Sequence, residues 1–253
     1  MSERPHVALF VTCLVDFFRP QIGFAAAALI ERAGCDVEVP TQTCCGQPAY
    51  NGGDETNART IARQAIETFS KYDYVVAPSG SCAGMIRVHY PRLFADDKVW
   101  RERAEALADK THELTSFLVN VRGLTTVDAE CVGVAAYHDS CSSLRENGVA
   151  REPRLLLASV RGLSVRDFRD AEACCGFGGM FAMKYPEVST RMADDKIADG
   201  KGVGARMIIG GDLGCLLHLA GRLSRRGERV RVRHTAEVLA GMAGEPALGE
   251  ETP

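Results

Sequence analysis

The segment Val7-Ala-Leu-Phe-Val11 is a short apolar run that ends at Thr12-Cys13. Residues 24–33 follow as a stretch rich in alanine, leucine and isoleucine, which Gly34 closes. A short apolar run, a polar break and a longer apolar stretch that ends at glycine predict a strand, a cysteine loop and a helix. This order of elements is the unit from which the fold is predicted.

The first half of the chain extends this unit with two more strands that lead to cysteines. Residues 37–39 predict a second strand before Cys44-Cys45-Gly46, and residues 55–71 predict a helix. Residues 74–77 predict a third strand, which enters the loop Pro78-Ser-Gly-Ser-Cys82. Proline and glycine end the strand there, so a cysteine again lies at the carboxyl end of a strand.

The second half of the chain repeats the same order. A predicted strand over residues 132–137 leads to Cys141, and a helix over 154–160 and a strand over 163–168 precede Cys174-Cys175-Gly176. A helix over 186–199 and a strand over 206–209 then lead to Cys215. The matching cysteines are 128, 130 and 133 positions apart, which indicates an internal duplication with few insertions. Residues 113–118 and 234–239 predict equivalent closing helices.

Strands that alternate with helices imply parallel sheets with helices on their faces, because parallel neighbours need crossover connections. We therefore predict an α/β fold of two duplicated Rossmann-like halves, with residues 1–125 as the first cysteine-rich domain and residues 126–253 as the second. Ligands in such sheets gather beyond the carboxyl ends of the strands. Cys13 and Cys82 are predicted there in one half, and Cys141 and Cys215 in the other.

The composition sets limits on function. The 253 residues are 46% hydrophobic and 25% charged with a net charge of −3, which is typical of a globular protein and predicts no nucleic-acid partner. No apolar run approaches the ~20 residues of a membrane helix, and Met-Ser-Glu-Arg-Pro-His6 lacks the apolar stretch of a secretory signal. We therefore expect a cytoplasmic protein without a membrane span. Ten cysteines in such a chain favour metal or redox chemistry over a disulfide framework.

Eight of the ten cysteines belong to the two repeated sets and are the candidate cofactor and metal ligands: Cys13, Cys44, Cys45, Cys82, Cys141, Cys174, Cys175 and Cys215. Four thiolates per half suit one iron–sulfur cluster or one closed zinc site. Adjacent cysteines diverge, so a doublet reaches two metal atoms of a cluster more readily than one zinc ion. The glycine after each doublet permits backbone conformations closed to other residues and lets its amide approach a sulfur.

Two other interpretations of the cysteines stay open. The sites could hold zinc in a scaffold or interaction subunit, or the doublets could act as vicinal dithiols in a thiol-disulfide redox protein. Cys35 and Cys131 have no counterpart in the other half, so we interpret both as structural thiols.

The cysteine motifs resemble the CCG (cysteine-rich) domain proteins and, within them, the lactate utilization protein A (LutA/YkgE) family. The resemblance covers essentially the whole chain. It is carried by Leu9-Phe-Val-Thr-Cys-Leu-Val-Asp16, Cys44-Cys-Gly-Gln-Pro-Ala-Tyr-Asn51, Ala77-Pro-Ser-Gly-Ser-Cys82, Cys174-Cys-Gly-Phe-Gly-Gly179 and Gly214-Cys215-Leu216. It implies an iron–sulfur electron-transfer subunit with two 4Fe-4S clusters, one per half. Such a chain is a non-autonomous oxidoreductase subunit that works with LutB-like and LutC-like proteins to oxidise L-lactate to pyruvate.

The wider family includes the cysteine-rich subunit of heterodisulfide reductase, in which each half ends in Cys-x-x-Cys and five cysteines hold a noncubane four-iron cluster. Ser79 and Asp212 replace the first cysteine of that pair here. Each oxygen could supply a fifth ligand, or Ser79 could be a turn residue and Asp212 a helix cap. Some relatives also carry a ferredoxin-like Cys-x-x-Cys-x-x-Cys module. This chain has none, so the resemblance implies a separate ferredoxin-type partner, LutB-like.

Three further features have weaker interpretations. His138, three residues before Cys141, could hydrogen-bond a sulfur, move protons or ligate metal, or be an ordinary histidine with satisfied hydrogen bonds. Arg145 could steer an anionic substrate such as a carboxylate, or be an exposed helix arginine. Gly200-Lys-Gly-Val-Gly204 precedes a predicted strand, so it lacks the context of a dinucleotide-binding loop. We expect no bound NAD or flavin.

Overall fold

The computed structural model describes residues 4–250, so the first three residues of the predicted N-terminal segment lie outside it. The first half contains, in chain order, β1 (His6–Leu9), α1 (Cys13–Phe18), α2 (Gln21–Arg32), β2 (Asp36–Glu38), α3 (Gln47–Gly52), α4 (Glu55–Phe69), β3 (Tyr74–Ala77), α5 (Gly80–Gly84), a π-helical turn (Met85–His89), α6 (Tyr90–Leu93), α7 (Lys98–Asp109), β4 (Thr111–Glu113), α8 (Leu114–Ser116) and a second π-helical turn (Phe117–Val121).

The second half repeats most of these elements. It contains β5 (Glu130–His138), α9 (Cys141–Arg145), α10 (Arg151–Leu157), β6 (Arg161–Asp167), α11 (Met180–Lys184), α12 (Pro186–Gly202), β7 (Met207–Gly210), α13 (Leu213–Arg225), β8 (Arg231–His234) and α14 (Thr235–Leu239).

The strands form two parallel four-stranded sheets with the same topology. Their orders are β2-β1-β3-β4 and β6-β5-β7-β8, so each strand of the first sheet has its counterpart four strands later. Val7 pairs with Tyr74 in the first sheet, and Ala135 pairs with Met207 at the equivalent contact in the second. The predicted α/β fold of two similar halves is confirmed. In each sheet the strand order reverses between the two central strands, where such sheets form a crevice.

Burial explains why these segments form strands and helices. Val7, Ala8 and Leu9 are almost completely buried, as is usual for parallel strands covered by helices on both faces. In α2 the buried residues include Ile22, Ala26 and Ile30, which recur every four positions and therefore form one apolar face. None of the helices within residues 4–250 is both long and apolar enough to cross a membrane.

The halves pack against each other in a symmetric way. Helix α2 of the first half contacts α14 of the second, and the equivalent pair, α10 and α8, makes the reciprocal contact. One cluster of buried apolar side chains includes residues of both halves, from Val7 to Leu248. The halves are therefore related by an approximate two-fold axis and share part of their core. The predicted boundary between residues 125 and 126 lies between the second π-helical turn and β5, and it stays a prediction.

Candidate metal centres

The eight repeated cysteines lie at the carboxyl ends of the two central strands of each sheet and on the neighbouring loops. Cys13 begins α1 after β1, and Cys82 lies in α5 after β3. The Cys44-Cys45 doublet lies in the loop between β2 and α3. Cys141, Cys174, Cys175 and Cys215 occupy the equivalent places in the second half. The fold thus brings each cysteine set to the crevice where the strand order reverses.

In each half the two cysteines of the doublet have different partners. The sulfur of Cys44 lies 3.7 Å from that of Cys13, whereas the sulfur of Cys45 lies 3.5 Å from that of Cys82. The second half repeats this division, with 3.9 Å between the sulfurs of Cys174 and Cys141. Its other doublet sulfur, that of Cys175, lies within 4.8 Å of the sulfur of Cys215. Each site therefore has two pairs of sulfurs, which the doublet connects because its two thiols also contact each other.

The two pairs of a site differ in burial. Cys45 and Cys82 are buried, as are their counterparts Cys175 and Cys215, whereas the other four cysteines are partly exposed: Cys13, Cys44, Cys141 and Cys174. All ten cysteines are free thiols in the structure. Each site therefore has an inner pair in the protein interior and an outer pair that reaches the surface.

The glycine after each doublet takes the backbone conformation that the sequence predicts. Gly46 has φ +84° and Gly176 has φ +86°, a region that residues with a side chain rarely adopt. Their amide N–H groups point to the preceding sulfurs, at 3.5 Å from Cys44 and 3.3 Å from Cys174. Both glycines therefore give each site a backbone donor to a sulfur.

These contacts change the pKa values of the thiols. Hydrogen bonds from neighbouring thiols and from the glycine amide lower the pKa of Cys44 and of Cys174. The Cys175 thiol and His138 lower the pKa of the Cys215 thiol to about 7, although burial acts in the opposite direction. Each site thus contains at least one sulfur that its surroundings favour as a thiolate, the form that binds metal.

His138 is the residue other than cysteine that, among the described residues, lies in a close group with cysteines of the second site. One of its ring nitrogens and the sulfurs of Cys175 and Cys215 all lie within 4.8 Å of one another. The side chain is 1% exposed, and neither ring nitrogen has a hydrogen-bond partner among the described residues. The polar neighbour of the ring is the Cys215 thiol, whose pKa it lowers, so the role of His138 as a sulfur hydrogen-bond partner or a metal ligand stays a prediction.

Ser79 and Asp212 contact each other, which no motif in the sequence predicts. Ser79 caps α5 and donates its hydroxyl hydrogen to the Asp212 carboxylate at 2.7 Å. The carboxylate also accepts hydrogen bonds from Ser81, through its hydroxyl at 2.7 Å and its amide at 3.2 Å, and from the Ser140 hydroxyl. Asp212 occupies the N-cap position of α13, but its side chain does not cap that helix. It links the halves instead.

Another feature of the first site has no signal in the sequence. Thr12, directly before Cys13, has φ +72°, which is rare for a β-branched residue. Its hydroxyl accepts a hydrogen bond from the Val15 amide at 3.4 Å and so caps α1. The backbone that carries Cys13 is therefore held in a conformation of high energy, of about 1–3 kcal/mol.

The remaining candidates have structural surroundings. Cys35 and Cys131 are buried in the apolar core, and burial raises the pKa of each thiol. Arg145 is exposed on α9 and forms an ion pair with Glu172 at 3.8 Å, as an exposed helix arginine does. Gly200 and Gly202 belong to the last turn of α12, so this glycine-rich stretch ends a helix and does not open one.

The fold and the two sites define a protein built from two cysteine-rich domains. A family profile described as "CCG: Cysteine-rich domain" matches residues 7–87 and 135–220, which include all eight repeated cysteines. Lactate utilization protein A 1 of Bacillus cereus (strain AH820) and Lactate utilization protein A of Bacillus cytotoxicus are both 47% identical to this chain over 234 residues. The match covers 92% of this chain and 98% of each relative. The chain belongs to the lactate utilization protein A family of CCG-domain proteins.

A solved structure supports the fold alone. A hypothetical protein from Helicobacter pylori is similar to this chain with a TM-score of 0.68 and 11% sequence identity. The similarity covers 99% of this chain and 50% of the other, so this chain spans half the length of that structure.

Proposed function

We propose that this protein is an iron–sulfur electron-transfer subunit of a complex that oxidises L-lactate to pyruvate. Each half holds one 4Fe-4S cluster on its four repeated cysteines. The names of the 47% identical relatives support a role in lactate utilization. The geometry of the cysteines supports the cluster.

The spread of the sulfurs is the observation that carries the proposal. A single zinc ion with four thiolates at 2.3 Å requires all four sulfurs to lie about 3.8 Å apart. Among the described residues, no three sulfurs of either half lie within 4.8 Å of one another. The sulfurs of the first half instead form a row from Cys13 to Cys82, with 3.7 Å between the first two, 3.5 Å between the last two and a contact between the doublet thiols in the middle. Four sulfurs in an extended row, in place of a compact tetrahedron, suit a cluster with several metal atoms better than one ion.

The surroundings of the cysteines also fit an iron–sulfur cluster. Amide donors to sulfur, here those of Gly46, Gly176 and Phe177, are among the groups that tune such clusters. When bound, a cluster supplies acceptance and release of single electrons. The outer cysteine pair of each site reaches the surface, so electrons have a short path to a partner. The inner pair is buried, so that part of the site is shielded from solvent.

The surface beside the sites supports a role within a complex. Phe17 and Phe18, on the helix that Cys13 begins, are 79% and 64% exposed, and Met183 of α11 is 77% exposed. Large apolar side chains in such positions are typical of interaction surfaces. We propose that a LutB-like ferredoxin-type protein and a LutC-like protein bind on this side. Lactate binds to the assembled complex.

Metal analysis of the anaerobically purified protein tests the proposal. We expect iron and sulfide in equal amounts, broad visible absorption and little zinc. Replacing Cys44 and Cys45 with serine should remove about half of the iron, because each half has its own ligand set. The matched control replaces the two unrepeated cysteines, Cys35→Ala and Cys131→Ala, and should keep all of it.

Other outcomes would contradict the proposal in different ways. Zinc without sulfide would indicate a scaffold, and a colourless protein without metal would indicate a thiol-disulfide protein. Loss of all iron from a folded Cys44→Ser/Cys45→Ser variant would mean that the halves share one site.

A further inference from the structure

The two cysteine sites differ at one position beside their buried sulfurs. His138 ends β5, three residues before Cys141, and Phe10 lies three residues before Cys13 in the first half. Both side chains are 1% exposed. Phe10 packs on Phe69 with ring centroids 5.4 Å apart, whereas the ring of His138 lies beside two cysteine sulfurs. The second site therefore has a nitrogen donor where the first has a hydrocarbon ring.

The surroundings of His138 offer its nitrogens no well-aligned hydrogen bond, and the polar group that faces the ring is the Cys215 thiol. Its nearest ring, that of Phe168, makes an edge contact at 6.4 Å between centroids and offers no hydrogen bond. Both ring nitrogens are buried, and neither is hydrogen-bonded within residues 4–250. Leaving such a buried group without a hydrogen bond is unfavourable. A metal ion that accepts the lone pair of one nitrogen would offset this cost, and imidazole is a common ligand of iron and zinc.

We propose that His138 is a fifth protein ligand of the metal in the second site, in addition to the four thiolates, and binds beside Cys175 and Cys215. The identity of the metal as an iron–sulfur cluster rests on the proposed function, but the donor set of one imidazole and two thiolates suits zinc as well. The first site has thiolate ligands only. Because ligand type sets the reduction potential of a cluster, the two sites hold electrons at different potentials.

Spectroscopy of the histidine nitrogens, in the full protein with metal in the second site only, tests this assignment. The protein carries Cys44→Ser and Cys45→Ser, so that only the second site is loaded, and its histidines are labelled with ¹⁵N. Pulsed electron paramagnetic resonance of the reduced protein should detect the strong hyperfine coupling of a directly bonded nitrogen. His138→Phe, which copies the residue of the first half, should abolish this coupling and weaken metal binding about ten-fold or more. His218→Phe is the matched control and should change neither.

The outcomes separate this inference from the proposed function. Iron and sulfide without a strong nitrogen coupling would overturn the ligation by His138 and leave the proposed function standing. A weak coupling alone would mean a hydrogen bond to a sulfur, which also overturns it. If the protein holds zinc, the proposed function fails, and imidazole proton resonances shifted by substituted Co²⁺, lost in His138→Phe, decide the ligation. Should His138→Phe not fold, His138→Gln replaces it in the same comparison.

Discussion

Each cysteine doublet depends on the conformation of a single residue, the glycine that follows it. Gly46 and Gly176 both have positive φ, and both direct an amide to a sulfur. Their surroundings differ, however. A Cβ atom on Gly176 would lie 2.5 Å from the Ser189 carbonyl oxygen, whereas on Gly46 its nearest neighbour would be a methyl group of Ile61 at 3.3 Å.

Alanine at these two positions should therefore have unequal effects. In Gly46→Ala, alanine must adopt the left-handed conformation that the glycine has, which lowers the unfolding free energy by about 1–2 kcal/mol. Gly176→Ala has the same conformational cost, and its Cβ atom also clashes with the Ser189 carbonyl in the backbone of α12. We therefore expect the unfolding free energy to fall by about 3 kcal/mol or more. Urea unfolding of both variants measures the difference. Equal losses would show that the contact of Gly176 with α12 does not constrain the doublet.

The Asp212 carboxylate joins three helices at their first turns. Its partners precede or begin α5 and α9, and Asp212 itself precedes α13. It is 4% exposed and accepts four hydrogen bonds, from Ser79, Ser140 and twice from Ser81. Its oxygens are thus occupied without a metal, which supports a structural role for Asp212 and argues against an oxygen ligand.

Asp212→Ala should destabilise the protein and leave its metal in place. Removing this acceptor leaves the buried hydroxyl and amide donors unpaired, so we expect a loss of about 2–3 kcal/mol of unfolding free energy. Ser79→Ala, which removes one donor only, should cost about 1 kcal/mol. Iron content and visible spectra should stay near those of the unaltered protein. Loss of iron from Asp212→Ala at nearly unchanged stability would instead identify an oxygen ligand.

Glu113 caps α8 and gives the fold a dependence on pH. Its carboxylate accepts hydrogen bonds from the Thr115 hydroxyl at 2.6 Å and the Ser116 amide at 3.0 Å. Burial nevertheless raises the pKa of Glu113 to about 7, and Asp212 adds to the increase. An acid with a higher pKa in the folded state binds its proton more tightly there. The contribution of Glu113 to the stability of the fold is complete below its pKa in the unfolded chain, about 4.3. This contribution is lost as the pH rises to its pKa in the folded protein, about 7.

Glu113→Gln should remove this part of the pH dependence, since glutamine keeps an acceptor for the cap and does not ionise. Between about pH 5 and pH 8 the unaltered protein should lose up to about 3 kcal/mol relative to the variant. Urea unfolding at both pH values measures the change. Parallel pH profiles would mean that Glu113 is ionised in the fold throughout.

The sequence predicts some elements well because their signals are local. The predicted strand over residues 74–77 has the same first and last residues as β3, Tyr74–Ala77. The predicted helix over residues 55–71 corresponds to α4, Glu55–Phe69, which Asp54 caps. Strands β4 and β8 are not predicted, because three or four residues at the edge of a sheet give no clear periodicity. The repeated cysteines and the glycines after them can also be recognised from the sequence, because their motifs are local. The contacts of Asp212 and His138 cannot, because they depend on how distant segments pack.

The whole chain lacks a sequence motif for a hydride acceptor, so its activity should depend on its partners. We predict that the isolated protein, loaded with iron and sulfide, does not reduce a dye with L-lactate under anaerobic conditions. Adding a LutB-like and a LutC-like protein should restore the reaction. Rapid dye reduction by the isolated chain would place lactate binding in this protein and contradict the prediction.

The contact between Ser79 and Asp212 has a consequence for how such a chain arises. These residues occupy equivalent positions, three before Cys82 and three before Cys215, and they meet across the approximate two-fold axis at 2.7 Å. In a homodimeric ancestor, identical residues would face each other there, either two serines or two repelling carboxylates. A donor and an acceptor can be placed opposite each other once gene fusion lets the copies diverge. This hydrogen bond needs different residues at two equivalent positions, so a symmetric homodimer of one half could not form it.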